Sequence, residues 1–355
     1  MILKRIKPLF YNSHNELIVS KGHKVYLFKS GSYVFLFSFP VPHYKKIFSL
    51  SKLWSRLFRY GVMTAIEFDD AYYFTFNGYI YRYDLQSELL EVDHKFTKGR
   101  GPLNFTIVKG IKGFDDGLYF GEYISNREKN EVHIFRRKCS WDIAYTFQPG
   151  ELNHIHSIIV DNLRGGIWVL SGDFNDSAAI YLIKDGFNEV TAVVQGLQKY
   201  RSCVAFPTDE GLLYATDTQM ESNSIRMLRE ENDRWVSDKL HNINGSCIYG
   251  CELKDYYIFS TSTEPCEKPK NKIFMLFDNK PAPAIKKNLS EVICFSKQKL
   301  QIKTIREFNK DIFPYRLFQF GTVMFPAGLS PDNSLYMYSI GGKKLDLSTE
   351  YVKLK

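Results

Sequence analysis

Hydrophobic and polar residues along this chain alternate in short runs, and the runs end at turns rich in glycine, aspartate and asparagine. A period of two predicts β-strands, because successive side chains of a strand point to opposite faces. The runs also repeat as a unit that consists of an Asp/Gly turn, an apolar strand, and then a small or acidic residue. Clear copies lie at 115–122, 164–173 and 209–217, and weaker copies at 69–75 and 254–261.

The copies lie about 45–50 residues apart, which is a spacing typical of β-propeller blades. Each copy has neighbouring strand patterns, so that a repeat holds three or four strands, as a blade does. The pattern therefore predicts an all-β chain that forms a single β-propeller domain over residues 1–355. We expect seven blades, at 5–40, 63–96, 103–148, 154–196, 200–241, 246–308 and 315–354. If the two terminal units share one blade, the count is six.

Residues 44–60 are the exception to the strand pattern. Apolar residues recur there at helical spacing, with lysine and arginine between them: Ile47, Leu50, Trp54, Leu57 and Phe58. This predicts a short amphipathic basic helix between the first two blades. In one interpretation the helix packs on the propeller face, and in the other it contacts an anionic membrane surface or a protein partner.

Composition and charge give more information about the possible partners of the protein than about its fold. Hydrophobic residues make up 44% of the chain and charged residues 24%, as in ordinary globular proteins, and the 15% of aromatic residues favours sheets. The net charge of +8 favours an acidic partner, but no basic run is dense enough to predict nucleic-acid binding. We read no signal peptide and no membrane span, and the six cysteines form no paired CxxC motif. We therefore expect a cytoplasmic protein, with peripheral contact to the inner membrane as an option.

Propeller geometry predicts where chemistry would lie. The inner strands of all blades line a central channel, and their first residues surround one mouth of it. His156 and Arg201 fall at the same register of two such strands, and each is followed by serine, while Arg316 is a third candidate. The ends of the second strands add three carboxylates in matching register, Glu122, Asp173 and Asp217.

His154 and His156 are the sharpest single feature of this predicted channel mouth. In a strand, side chains two residues apart share a face, so both imidazoles point the same way. They could bind a divalent metal, with carboxylates from neighbouring blades or Gln198 completing its coordination shell. Alternatively, one of them could act as a general base, or both could be structural. Arg201 could bind a substrate carboxylate through two hydrogen bonds, or it could pair with a nearby aspartate.

The stretch from Gly121 to Asp217 contains several features in sequence: Gly121-Glu122-Tyr123, Val132 to Phe135, His154-Ile155-His156-Ser157, Asp161, Gly172-Asp173, Gln198-Lys199-Tyr200-Arg201 and Thr216-Asp217. This stretch resembles bacterial proteins with sialidase-like propeller repeats (BNR or Asp-box repeats), which are associated with polysaccharide loci. The resemblance implies a propeller fold and a carbohydrate ligand.

The site composition is also similar to that of propeller-fold polysaccharide lyases, some of which use His, Tyr and Arg around an acidic sugar. We therefore predict an enzyme that acts on an acidic polysaccharide or oligosaccharide at the channel mouth, as a lyase or a glycoside hydrolase. In the lyase version Arg201 neutralises the uronate carboxylate, His154 or His156 removes the C5 proton, and Tyr200 assists the leaving oxygen. The remaining candidates bind substrate: Glu122, Asp173, Gln198, Asp217 and Arg316.

No cofactor is required in this prediction, and a divalent metal at His154, His156 and Gln198 is the alternative. Two other functions stay open. The first is a non-catalytic propeller that binds a glycan or a protein of a polysaccharide assembly system. The second is a metal-dependent isomerase or hydrolase that acts on a small sugar.

Overall fold

A computed structural model describes residues 1–99, 101–265 and 276–355, and of residues 47, 48 and 50 only the backbone. The described chain forms seven four-stranded antiparallel sheets. The strands are β1 Ile2–Lys4, β2 Lys7–Tyr11, β3 Leu17–Lys21, β4 Lys24–Lys29, β5 Ser32–Ser38, β6 Ala65–Phe68, β7 Ala71–Phe76, β8 Tyr79–Asp84, β9 Leu90–Lys95, β10 Thr106–Val108, β11 Gly117–Gly121, β12 Val132–Arg137, β13 Trp141–Phe147 and β14 His154–Asp161. They continue as β15 Gly166–Gly172, β16 Ala179–Lys184, β17 Glu189–Gln195, β18 Ser202–Thr208, β19 Gly211–Thr216, β20 Ser224–Glu231, β21 Arg234–Asn242, β22 Cys247–Glu252, β23 Tyr256–Thr261, β24 Leu289–Ser296, β25 Ile302–Asn309, β26 Thr322–Met324, β27 Ser334–Ile340 and β28 Ser348–Lys353.

Six of the sheets consist of four consecutive strands, from β2–β5 through β22–β25, and the seventh has the order β26-β27-β28-β1. This confirms the seven-bladed propeller and rules out the six-bladed count. The N-terminal strand β1 is the outer strand of the last blade, where Leu3 pairs with Thr349. Leu3 is buried against Leu17, Val19 and Phe28 of the first blade, so β1 closes the ring between the two ends of the chain.

Apolar clusters between neighbouring blades form the core. One cluster joins the third and fourth blades and another joins the fourth and fifth. Trp168, predicted as a core residue, is fully buried in the second of these clusters, and its Nε1 donates to Asp161 Oδ2 at 2.7 Å. Each blade therefore buries both faces of its sheet against a neighbour, which is how a chain of this length divides its core.

The predicted helix at 44–60 is two short helices, α1 (His43–Leu50) and α2 (Lys52–Leu57). They separate at Ser51, which is in an extended conformation and caps α2 through its side chain. Arg56 is 1% exposed, forms an ion pair with Asp311, lies 3.6 Å from Asp346, and donates to the carbonyl of Gln319. These contacts hold α2 against loops of the sixth and seventh blades, as the packed interpretation expects. No helix among the described residues is long and apolar enough to cross a membrane.

One inner strand begins later than the sequence pattern predicts. The last blade was expected to start at Tyr315-Arg316, but its inner strand β26 begins at Thr322. Tyr315–Phe318 instead forms the helical turn α3, in which the amide of Phe318 donates to the carbonyl of Pro314. Proline favours the start of a helix because it has no amide hydrogen to leave unsatisfied.

Candidate functional site

Strand register brings the predicted site residues together at one mouth of the channel. His154, the first residue of β14, pairs with Gly172, the last residue of β15, so Asp173 follows beside it. In the next blade Ser202 pairs with Thr216, and the amide of Asp217 donates to the carbonyl of Arg201 at 2.9 Å. Because the first two strands of a blade are antiparallel, the start of one and the end of the other meet at the same edge.

The two imidazoles lie edge to edge, with 2.9 Å between His154 Nε2 and His156 Nε2. The pairing of β14 with β15 shifts register between Ile155 and Ser157, so His156 lies at a β-bulge, a feature that re-aims side chains. Gly172 provides the space for this ring, since a Cβ atom there would lie 2.3 Å from His156 Cε1. Both histidines are buried, at 6% and 3% exposure.

Backbone carbonyls determine how these imidazoles are protonated. His154 Nδ1 donates to the carbonyl of Ile124 at 3.0 Å, and His156 Nδ1 donates to the carbonyl of Ser202 at 2.8 Å. A carbonyl oxygen only accepts, so each Nδ1 carries a hydrogen and, in the neutral ring, each Nε2 has a lone pair. Burial lowers the pKa of each histidine to about 4, which keeps both rings neutral near pH 7. Two lone pairs therefore face one another.

Arg201 pairs with two carboxylates at once. Its Nη2 lies 3.2 Å from Asp173 Oδ1, and its Nε lies 3.4 Å from Asp217 Oδ2. Burial opposes the charge, but Asp217 and Asp173 raise the pKa of Arg201 above its ordinary value. This arrangement matches the ion-pair interpretation of Arg201 and leaves the guanidinium 4% exposed.

Three residues that sequence reasoning did not select belong to the same cluster. The Sγ of Cys203 donates to Asp217 Oδ2 at 3.3 Å, and burial raises the pKa of this thiol well above its ordinary value. Glu264 is 8% exposed, and burial followed by the charge of Asp217 raises its pKa to about 8. The Tyr123 ring centroid lies 4.8 Å from that of His154 and 5.9 Å from that of His156.

The sequence contained a signal for Glu264. It follows the second strand of its blade, as Asp173 and Asp217 do, but two residues later, after Ser262 and Thr263. Glu264 begins a Pro/Lys-rich stretch, 264–272, whose composition predicts a surface loop, and the burial of Glu264 excludes this residue from the exposed part. The basic part of that loop and Cys266 lie outside the described residues.

Tyr123 is the most accessible side chain of the cluster, at 37% exposure. Burial of its hydroxyl raises its pKa well above the ordinary value, and Cys203, Asp217 and Asp173 add to the shift. Tyr123 therefore presents a phenol at the boundary between the buried cluster and solvent.

Some predicted residues lie at the edge of the cluster or outside it. Gln198 Nε2 donates to the backbone carbonyl of Asp173 at 2.9 Å, so it holds the loop that carries the aspartate. Tyr200 packs against the apolar cluster of the fourth and fifth blades. Glu122 accepts a hydrogen bond from the amide of His133 in its own blade, and Arg316 lies in α3.

Two groups of side chains within the described residues could hold a metal ion. The first is His154, His156 and Asp173, and the second is His156, Cys203 and Asp217, with ligand atoms within 4.8 Å of one another in each group. The amide nitrogen of Gln198 donates to a carbonyl, and its Oε1 is buried without a hydrogen-bond partner among the described residues, so its role as a metal ligand stays a prediction. With two carboxylates, one guanidinium and two neutral imidazoles, the inner cluster attracts a cation.

No family model matches the chain, whether of sialidase-type repeats or of any other family, and no sequence among curated proteins matches it. Solved structures do resemble it. An oligogalacturonate lyase in complex with manganese superposes with a TM-score of 0.53 at 10% identity, covering 99% of this chain and 89% of that chain. The oligogalacturonate lyase of Vibrio parahaemolyticus gives 0.52 at 10% identity, covering 95% and 87%. The AfRom2 CNH domain gives 0.53 at 7% identity, covering 100% and 94%, so these likenesses show the propeller fold.

Proposed function

We propose that this chain is a carbohydrate-active propeller that cleaves an acidic saccharide by β-elimination at the channel mouth. The observation that supports the proposal most is the convergence of a phenol, two imidazoles and an arginine–carboxylate pair from neighbouring blades on one mouth. The fold likeness to oligogalacturonate lyases is consistent with it. A basic protein with a net charge of +8 also suits an acidic substrate.

β-Elimination from a uronate requires three things of a site. A positive charge must neutralise the carboxylate, a base must remove the proton at C5, and an acid must protonate the leaving oxygen. The electron pair of the C5–H bond forms the C4–C5 double bond as the C4–O bond breaks. When both proton transfers occur on one face of the sugar, a single side chain can serve as base and then as acid.

We assign proton transfer to Tyr123 instead of Tyr200 or the histidines. A group that exchanges protons with a substrate has to touch it, and Tyr123 is 37% exposed whereas His154 and His156 are 6% and 3% exposed. The phenolate takes the C5 proton and returns it to the leaving oxygen. Because burial and the nearby carboxylates raise the pKa of Tyr123, we expect cleavage to be faster at alkaline pH. Tyr200, which packs in the core between two blades, is a structural residue in this proposal.

Arg201 is a positioning residue in this proposal, because its Nη2 and its Nε both pair with protein carboxylates. It holds Asp173 and Asp217 in place, and Gln198 holds the backbone of Asp173. Of the two aspartates, Asp173 is the one that a substrate can reach, with a side chain 26% exposed against 5% for Asp217. Hydrolysis by a pair of flanking carboxyl groups is the less favoured reaction, since only one of the two aspartates paired with Arg201 is accessible.

The test is an absorbance assay for the unsaturated product on oligogalacturonate and other uronate-containing glycans. We expect cleavage of at least one glycan, with Tyr123→Phe slowing it by about 100-fold or more. Tyr145→Phe is the matched control, because Tyr145 stacks on Phe187 away from the histidines, and it should keep full activity. Cleavage by Tyr123→Phe at the wild-type rate would remove this assignment. Binding of glycans with no cleavage would instead support the non-catalytic propeller.

A further inference from the structure

We propose that the channel mouth binds one divalent transition-metal ion between His154 Nε2 and His156 Nε2, with Asp173 Oδ1 as the third protein ligand. This inference deepens the proposed function, since such an ion would supply the positive charge for the uronate carboxylate. Its role in the reaction rests on that proposal. The binding itself is argued from the protein alone and is tested without any saccharide.

The separations between the three atoms fit a common ion. His154 Nε2 lies 2.9 Å from His156 Nε2 and 3.4 Å from Asp173 Oδ1. Metal–ligand bonds to imidazole and carboxylate are about 2.1 Å, so two ligands of one ion lie about 3.0 Å apart at a right angle and about 3.4 Å apart at the tetrahedral angle. Both separations from His154 Nε2 therefore match one ion, and the third pair, His156 and Asp173, has its ligand atoms within 4.8 Å of each other.

The orientation of the imidazoles is the second argument. Both rings use Nδ1 to donate to backbone carbonyls, of Ile124 and Ser202. Carbonyl partners on the far nitrogen are the usual way in which proteins orient metal-binding histidines. Two lone pairs that face each other in a buried space repel unless a cation lies between them.

The neighbouring group of His156, Cys203 and Asp217 fits a metal less well. The Cys203 thiol donates to Asp217 Oδ2, so it would have to lose its hydrogen before this group could bind a metal. Arg201 pairs with both Asp173 and Asp217, so that pairing does not distinguish the two carboxylates. His156 has a single free nitrogen, which faces His154. We therefore assign Asp173, and not Asp217, as the carboxylate partner of the imidazole pair.

The ligand set also indicates the class of ion. Two imidazole nitrogens suit zinc, cobalt, iron or manganese, whereas calcium and magnesium prefer oxygen ligands. Three protein ligands leave positions for water or for a substrate carboxylate, as in catalytic sites. The Asp173 side chain is 26% exposed and Tyr123 lies beside His154, so the unfilled positions of a bound ion would face solvent and Tyr123.

The test uses the full chain after treatment with a chelator. Titration with Co²⁺, followed by visible absorption, should give one tightly bound equivalent that Zn²⁺ displaces. Asp173→Asn, a variant of the more exposed ligand that we expect to fold, should weaken Co²⁺ binding by at least about 10-fold, and His156→Ala should weaken it further. His133→Ala is the matched control, because His133 contacts Thr146 and Glu131 on the third blade, and it should bind as the wild type does.

Several results would overturn the inference. These are no Co²⁺ or Zn²⁺ binding by the wild type, or binding by Asp173→Asn and His156→Ala at wild-type affinity. Thermal unfolding of each variant without metal shows whether it is folded. If His156→Ala is unfolded, the comparison of Co²⁺ affinity is made between Asp173→Asn and the wild type. If the ion binds and no glycan is cleaved, the metal site stands and the lyase proposal fails. If glycans are cleaved equally with and without chelator and no ion binds, the lyase proposal stands and the metal site fails.

Discussion

Gly172 offers a way to move one imidazole without changing any ligand. A methyl group at this position would lie 2.3 Å from His156 Cε1 and 2.6 Å from its Nε2. Ordinary contacts begin at 3.4 Å, so the ring must withdraw by about 1 Å. That movement takes His156 Nε2 away from His154 Nε2 and strains the 2.8 Å hydrogen bond from His156 to the carbonyl of Ser202.

The cost of Gly172→Ala can be estimated from these contacts. Overpacking costs about 1–3 kcal/mol and a lost hydrogen bond about 1 kcal/mol, so we expect the free energy of unfolding to fall by about 2–4 kcal/mol. Because the ligand atoms separate, affinity for Co²⁺ should fall by about 10-fold or more. Urea unfolding measures the first quantity, and the cobalt titration measures the second.

Gly250→Ala is the matched control for this experiment. A Cβ atom there would lie 2.5 Å from Val204 Cγ1, on inner strands of the fifth and sixth blades. It should lower stability by a similar amount and leave Co²⁺ affinity unchanged. If Gly172→Ala is as stable as the wild type, or binds Co²⁺ as tightly as Gly250→Ala does, the packing of His156 against Gly172 is not as described.

Three further predictions concern the cluster and the ring closure. The pKa of Glu264 is about 8 in the folded state, against an ordinary value of 4.5, so the folded state binds this proton more tightly. The free energy of unfolding therefore falls as the pH rises between these two values, by at most about 1.4 kcal/mol per pH unit. In urea unfolding, Glu264→Gln should therefore become more stable relative to the wild type as the pH is raised from 5 to 8. Glu307→Gln, at an exposed position, is the control and should show no such gain. A stability difference between Glu264→Gln and the wild type that does not change with pH would contradict this prediction. Arg201→Met should lower the free energy of unfolding by about 3–5 kcal/mol, because two carboxylates lose their partner, and a loss below about 1 kcal/mol would count against the pairing. Leu3→Ala should lower the free energy of unfolding by about 2–4 kcal/mol, whereas Ile2→Ala, at a residue that is 53% exposed, should lower it by close to nothing. Equal effects of the two substitutions would argue against closure of the ring by β1.

The repeat and the alternation of side chains were sufficient to predict the seven blades and the meeting of His154, His156, Arg201 and the two aspartates. Both depend on local periodicity and on antiparallel register, which the sequence displays directly. The position of Tyr200 was not predictable in this way, because it ends a short 3-10 turn, Gln198–Tyr200, and only Arg201 after it is extended. Tyr200 packs, partly buried, against the cluster between two blades, while Arg201 reaches the aspartates.

Other features depend on contacts between distant parts of the chain. β1 is three residues long, and its place in the last blade comes from pairing with β28, some 345 residues away. Glu264 enters the cluster because its loop turns inward two residues after the position that the other blades use. Arg316 lies outside the site because Pro314 begins a helical turn before the inner strand. None of these can be read from local alternation.

The most direct measurement of the central claim is anomalous X-ray diffraction at the zinc edge from crystals of the full chain grown with Zn²⁺. A single strong peak between the rings of His154 and His156, within bonding distance of both Nε2 atoms and of Asp173, is the predicted result. An empty space between the imidazoles in zinc-containing crystals, or a peak only at other residues, would contradict it.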